Sequence, residues 1–152
     1  MKPTHPLHGL VAATHTPFKP DGSLNLALVE QQAAHLLQNS VTLAFIGGTT
    51  GEAHSPALDE RRALAQRWCE VARGTALKVS VHVGSNCLAD ARALAAQAEQ
   101  LGELETLGCE TRTFRASTSW NRGAVAFLRH IHITTGRSLL FTVDRTVSVC
   151  QG

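Results

Sequence analysis

Leu43-Ala44-Phe45-Ile46-Gly47-Gly48-Thr49-Thr50-Gly51-Glu52 decides how this chain is read. Four consecutive apolar residues suit a strand buried on both faces, as a parallel sheet requires. The strand then stops at a glycine-rich turn. Glycine lets the backbone bend sharply and come close to a ligand. Successive backbone N–H groups in such a turn form a small concavity for an anion. The adjacent hydroxyls of Thr49 and Thr50 add donors without adding charge. The turn therefore suits a carboxylate or a phosphate. An ordinary strand-to-helix turn without a ligand accounts for the same residues, because short Gly/Thr turns are common in such folds.

The segments on either side repeat the pattern. Leu10-Val11-Ala12-Ala13-Thr14 predicts a first buried strand, and Thr16-Pro17-Phe18 with Pro20-Asp21-Gly22 predicts a loop. Asn25 is placed to cap a helix whose apolar positions Leu28, Val29, Leu36 and Leu37 follow the 3.6-residue period, ending near Asn39. Thr42 to Ile46 is the second strand. Beyond the threonine turn, Ser55 is placed to cap and Pro56 to open a helix. Asp59 and Glu60 fall in its first turns, where carboxylates are favoured. Leu58, Leu64, Trp68 and Val71 follow before Arg73-Gly74. Leu77 to Val83 is a third strand, and Ser85 or Asn86 caps a third helix through Leu101, closed by Gly102.

Strand and helix alternating three times in under 100 residues imply parallel strands joined by right-handed crossovers. Function in such folds sits on the loops at the C-terminal ends of the strands. Three loops share that end: Thr14 to Phe18, Gly47 to Glu52 and Gly84 to Asn86. After Gly102 the alternation fades. Threonines and arginines are scattered there without lysine; Ala124 to Leu128 suits a short helix or strand, and Ser138 to Val149 one or two strands.

The chain has 152 residues, 43% hydrophobic and 17% charged, which fits a globular domain with a real core. A net charge of +2, without basic clusters interleaved with aromatics, argues against a nucleic-acid partner. Cys69, Cys87, Cys109 and Cys150 match no zinc or redox spacing and predict reduced thiols. No charged-then-apolar leader and no long apolar run are present, so a cytoplasmic protein without a membrane partner is expected.

Residues 9–102 resemble the amino-terminal part of the N-acetylneuraminate lyase and dihydrodipicolinate synthase family. The resemblance rests on Gly9-Leu10-Val11-Ala12-Ala13-Thr14-His15-Thr16-Pro17-Phe18, Asp21-Gly22, Gly48-Thr49-Thr50-Gly51-Glu52, Glu60-Arg61-Arg62 and His82-Val83-Gly84, in that order. The first and last of these are closer to the sialic acid lyases than to the synthases. The resemblance implies a (β/α)8 barrel, of which this chain supplies about three βα units followed by an irregular C-terminal tail. It implies Schiff-base chemistry on a 2-oxo acid: cleavage of a sialic acid to N-acetylmannosamine and pyruvate, or condensation of pyruvate with an aldehyde. It also implies that Thr49 and Thr50 hold the pyruvate carboxylate, with Gly48 and Gly51 as the turn glycines. No cofactor is expected.

The family's catalytic tyrosine has no counterpart, since the chain contains no tyrosine, and its Schiff-base lysine would lie farther along. A full barrel of this type needs about 250 residues. Residues 103–152 are expected to be either a divergent tail or the product of a shifted reading frame. Val125 to Arg129 can be back-translated so that a one-base shift spells Leu-Pro-Phe-Tyr, similar to the family's tyrosine strand. Three βα units leave a strand edge open, which predicts self-association or poor solubility unless the tail covers it.

Imine formation needs an unprotonated amine against the ketone carbon. Lys2 lies near the terminus, Lys19 follows the first strand as a solvated loop lysine, and Lys78 begins the third strand. The span from Lys78 to the functional end is roughly 17 Å at ~3.3 Å per residue. No catalytic residue is therefore expected in this chain. His15, His54 and His82 suggest a rival metal aldolase, because three imidazoles can hold zinc. Against that, His82 alternates into a buried strand, and no metal site is expected. His130 and His132 carry no expected ligand role. Glu52 is expected to be structural, bonded to backbone donors of neighbouring loops, and Arg61 and Arg62 to be a solvated helix face. A non-catalytic α/β domain that binds an anion remains the alternative function.

Overall fold

The computed structural model describes residues 10–101, 104–110, 138–143 and 146–150. The elements are β1 (Val11–Ala13), α1 (Leu28–Gln38), β2 (Leu43–Ile46), α2 (Leu58–Ala72), β3 (Lys78–His82), α3 (Leu88–Leu101), β4 (Leu104–Glu110), β5 (Ser138–Val143) and β6 (Thr146–Cys150). All six strands form one sheet in chain order. Neighbours from β1 to β5 are parallel, and β6 returns antiparallel on β5. Chain-order parallel strands with an intervening helix are what successive βα crossovers produce.

The three anticipated βα units are present, and β4 adds a fourth parallel strand. Leu104-Glu105-Thr106-Leu107-Gly108-Cys109-Glu110 has neither a continuous apolar run nor a strict alternation, and it contains a glycine. Periodicity therefore does not mark it. The Ser138 to Val149 segment resolves into β5 and β6. Ala124–Leu128, Val125–Arg129, Lys2, His130, His132 and Gly102 lie outside the described residues.

Helix boundaries differ from the expected caps by about two residues. The Asn25 carbonyl accepts the Leu28 N–H at 3.1 Å, and Ala27 takes the N-cap position of α1. At the other end, Val41 N donates to Leu36 O and Ser40 N to Leu37 O, the paired closure of a Schellman motif. Ser40 takes the left-handed conformation there, φ +59°, a position usually given to glycine. Helix α2 is capped at Ala57 rather than Ser55. Alanine offers no oxygen, and the Glu60 carboxylate instead accepts the Ala57 N–H at 2.8 Å, the return half of a capping box.

The core lies between the sheet and the helix layer. Ala44 and Ile46 of β2 and Val79, Val81 and Val83 of the third strand region cluster with Val29 and Ala33 of α1, Leu64, Trp68 and Cys69 of α2, and Ala91, Leu94 and Ala98 of α3. Small alanines bring α3 close to the sheet, and Trp68, with no exposed surface, fills the volume beneath α2. The alternate residues of the same strands, Leu43, Phe45, Ser80 and His82, are buried without joining that cluster. They occupy the opposite face of the sheet, as strand alternation demands. An Arg67–Glu30 ion pair ties α2 to α1 across the outside.

Strand β1 departs from its expected burial. It is an edge strand among the described residues, with Leu10 73% and Val11 44% exposed. Its sequence is apolar as a barrel-interior strand would be, but on this edge only β2 pairs with it. Among the described residues, no helix is long and apolar enough to cross a membrane.

Candidate functional site

The register places the ends of three strands side by side. Ala13 pairs with Phe45, and Ile46 with Val81. Gly47 follows β2 with φ +65°, and Glu52 closes the turn in the left-handed region at φ +54°. Within it, Glu52 N donates to Thr49 O and Ala53 N to Gly48 O, each at 3.1 Å. These two bonds fold the six residues into a compact bend. Thr49 and Thr50 sit exposed on it, at the C-terminal end of β2.

The loop after β1 supports this bend. Thr14 N donates to Phe45 O at 3.0 Å, and the buried Thr16 hydroxyl donates to Gly51 O at 2.6 Å. That packing explains the glycine at 51. A Cβ there would lie 3.0 Å from the Thr14 carbonyl oxygen and 3.2 Å from Thr16 Oγ1. Gly48 is more tightly constrained, since a Cβ would stand 2.5 Å from Phe45 Cε1. Glycine at 48 and 51 is thus required by the protein's own close packing. Gly48→Ala is expected to cost about 1–3 kcal/mol through overpacking, read as a lower midpoint in thermal or urea unfolding.

The third loop joins through α2. Arg61 is only 8% exposed. Its Nη1 donates to Gly84 O at 2.9 Å, and its Nη2 donates to His82 O at 2.8 Å and lies 3.2 Å from His82 Nδ1. The expected solvated face does not hold for Arg61, which is a buried clamp on the end of β3. Arg62 beside it is half-buried and pairs loosely with Asp59 at 3.6 Å. Helical spacing explains the difference, because adjacent residues point about 100° apart.

His82 is 2% exposed, with its ring edge-on to Phe45 at 6.0 Å between centroids and 79° between planes. Burial holds its imidazole down at about 3 from an ordinary 6.5. The Arg61 charge adds to this. His82 is therefore a neutral core histidine. With Nδ1 engaged by Arg61, it does not join His15 and His54 as a ligand set, and among the described residues no group of three His, Cys, Asp or Glu is placed to hold a metal. His15 and His54 are exposed.

Glu52 is exposed, and among the described residues its carboxylate accepts from Ser55 Oγ at 3.3 Å within the same turn, rather than from a neighbouring loop. Lys19 is exposed in the loop after β1. Lys78 pairs in register with Leu43, at the far end of β2 from the turn. A cavity of about 390 Å³ opens behind the bend, between the starts of α2 and α3, reached by Ala53, His54, Arg61 and Cys87. Thr49 and Thr50 do not line it. The Ser85 hydroxyl accepts the Cys87 N–H at 3.1 Å, which starts α3.

The chain is similar to known proteins in sequence and in fold. N-acetylneuraminate lyase A of Xenopus laevis is 43% identical over 97 residues, covering 63% of this chain and 32% of the relative. N-acetylneuraminate lyase of Gallus gallus is 40% identical over 103 residues, covering 67% and 33%. The chain thus spans about a third of the length of these curated relatives. The solved N-acetylneuraminate lyase of Proteus mirabilis superposes with a TM-score of 0.79 at 32% identity, over 89% of this chain and 45% of that one. Dihydrodipicolinate synthase of Aquifex aeolicus, at 21% identity and a TM-score of 0.78 over 89% and 44%, shares the fold. The sheet is accordingly part of a (β/α)8 barrel. The dihydrodipicolinate synthetase family model matches residues 6–107, from the approach to β1 into β4, and the chain belongs to that family.

Proposed function

We propose that this chain carries the carboxylate-binding part of a pyruvate Schiff-base aldolase, of the N-acetylneuraminate lyase kind, without the amine that forms the imine. The observation that carries this reading is the Thr49-Thr50 bend at the C-terminal end of β2, tied to the β1 loop by Thr16 and Gly51. A 2-oxo acid presents a carboxylate next to its reactive ketone. In this reading the two hydroxyls and the backbone N–H groups of Gly48 to Gly51 receive that carboxylate, and neutral donors do so without a counter-charge that would hold the substrate too firmly. Gly48 and Gly51 keep the backbone within reach. Glu52, at φ +54°, closes the bend and holds its shape.

The lyase reading ranks above the synthase reading because the relatives named N-acetylneuraminate lyase reach 36–43% identity. The substrate is then a sialic acid, or N-acetylmannosamine with pyruvate. Condensation of pyruvate with another aldehyde, as in a dihydrodipicolinate synthase, would use the same turn. A cytoplasmic setting suits such a metabolite.

Catalysis needs more than the cradle. An attacking amine must be unprotonated and close to the ketone carbon. Lys78 is about 13 Å from Gly47 along the strand, at ~3.3 Å per residue, and Lys19 is a solvated loop residue. The expected outcome is saturable pyruvate binding in calorimetry, weakened about tenfold or more by Thr49→Val with Thr50→Val, the scale of one lost charge-assisted hydrogen bond. Borohydride reduction with pyruvate is expected to leave the chain's mass unchanged. A stable adduct on Lys19 would overturn the claim that the nucleophile is missing.

A further inference from the structure

We propose that Thr16 is a positioning residue for the anion-binding bend: its hydroxyl locks the peptide group between Gly51 and Glu52 so that the Glu52 N–H, and not the Gly51 carbonyl, turns into the bend. The functional meaning rests on the carboxylate-binding reading above; the lock itself does not.

The bend has the bonding of a helix end. Ala53 N reaches back to Gly48 O and Glu52 N to Thr49 O, the paired bonds of a Schellman motif. That motif places one residue in the left-handed region, usually a glycine. Here the residue is Glu52, at φ +54°, and the glycine stands one position earlier. A left-handed glutamate is disfavoured about tenfold against its ordinary conformations. Gly51 has no side chain to resist a change in its own ψ. Turning the peptide between them over would therefore return Glu52 to an ordinary negative φ at little cost to Gly51.

Two hydrogen bonds oppose that rotation, and they hold opposite sides of the same peptide group. Glu52 N donates to Thr49 O at 3.1 Å, and Gly51 O accepts from Thr16 Oγ1 at 2.6 Å. The first lies beside the exposed Thr49 and Thr50, where water can replace it. The second joins two buried residues, where its loss strands a carbonyl. The Thr16 hydroxyl is itself held in place. Thr14 N donates to Phe45 O at 3.0 Å, Gln32 Nε2 of α1 donates to His15 O at 3.1 Å, and Asn25 N donates to Pro17 O at 2.8 Å. Pro17 also restricts the threonine before it to extended backbone. Without the hydroxyl, rotation both relieves Glu52 and carries Gly51 O from the interior toward water. It then sets a carbonyl oxygen where a donor had been, against an incoming carboxylate.

The test uses the whole chain. Proton NMR is expected to show at Glu52 the short amide-to-α-proton distance of a positive φ; its absence overturns the proposal without any variant. Thr16→Val, which keeps the branched shape and removes the hydroxyl, is expected to lose that signal. It should also speed amide exchange at Glu52 about tenfold while the Asn39 amide at the end of α1 keeps its rate, and weaken pyruvate binding about tenfold, the scale of one buried hydrogen bond. Equal acceleration at both amides would mean general destabilisation and would overturn it. Thr16→Ser, which restores the donor, is expected to keep the signal and to bind pyruvate within about threefold of wild type. Adding Glu52→Gly to Thr16→Val removes the strain that drives the rotation, so affinity is expected to return to within about threefold of wild type. No recovery would contradict the lock. If Thr16→Val does not fold, Thr16→Ser and Glu52→Gly decide. A kept Glu52 signal in the first and a raised unfolding midpoint in the second support the lock; a lost signal or a lowered midpoint contradicts it. Absence of pyruvate binding in the wild-type chain would sink the carboxylate reading and leave the Glu52 signal and exchange rates to judge the lock.

Discussion

Arg61→Ala is expected to destabilise the fold by about 3 kcal/mol or more, because it strands buried acceptors that a cation had satisfied. The guanidinium serves His82 O, His82 Nδ1 and Gly84 O, all at the end of β3. Water cannot easily replace it, since Arg61, His82 and Gly84 are buried. The loss is comparable to much of the stability of a small domain. Arg62→Ala supplies the contrast one residue away. Its partner Asp59 is 93% exposed and 3.6 Å distant, so the change should stay within about 0.5 kcal/mol. Urea titration of both variants separates them by their midpoints at similar slope. Equal midpoints would mean that the clamp carries no stability.

Acid is expected to weaken the fold through His82, starting near neutrality. The folded-state value, about 3, lies below the unfolded one of 6.5, so the unfolded chain binds a proton that the folded chain refuses. Stability therefore stands at its full value above about pH 6.5 and falls as pH drops from there toward 3. From pH 7.5 to 5 the loss from this one group is about 2 kcal/mol. The cause is mainly burial, then the neighbouring Arg61 charge. His82→Phe removes the titrating group and should flatten this part of the stability profile, which urea midpoints at a series of pH values would record. An unchanged slope in the variant would assign the acid sensitivity elsewhere.

The parallel βα architecture was legible in the sequence because buried parallel strands are continuous apolar runs and their crossovers are punctuated by glycine, proline and caps. Leu43 to Ile46 forms a strand as that pattern requires, and Lys78 to His82 forms one in which apolar Val79 and Val81 alternate with Lys78, Ser80 and His82. The strand from Leu104 to Glu110 was not legible, since its polar residues and Gly108 break both periodicities. The exposure of β1 was equally hidden, because an apolar strand is written the same way whether a neighbour covers its far edge or not. At the site, the threonine bend could be read from local chemistry, but the clamp could not. Arg61 sits in a run of charged residues that resembles any solvated helix face, and only the fold brings it over His82, twenty-one positions away. The signal that was available lay in His82 itself, an imidazole flanked by Val81 and Val83 at the end of its strand.

The central claim is that the bend after β2 recognises a carboxylate. Amide NMR of the Gly48, Thr49, Thr50 and Gly51 N–H groups during titration with pyruvate, and separately with its methyl ester, tests this directly. Saturable shifts at those four amides with pyruvate and none with the ester are the expected result. Shifts of equal size with both, or none at these amides while others move, would contradict it.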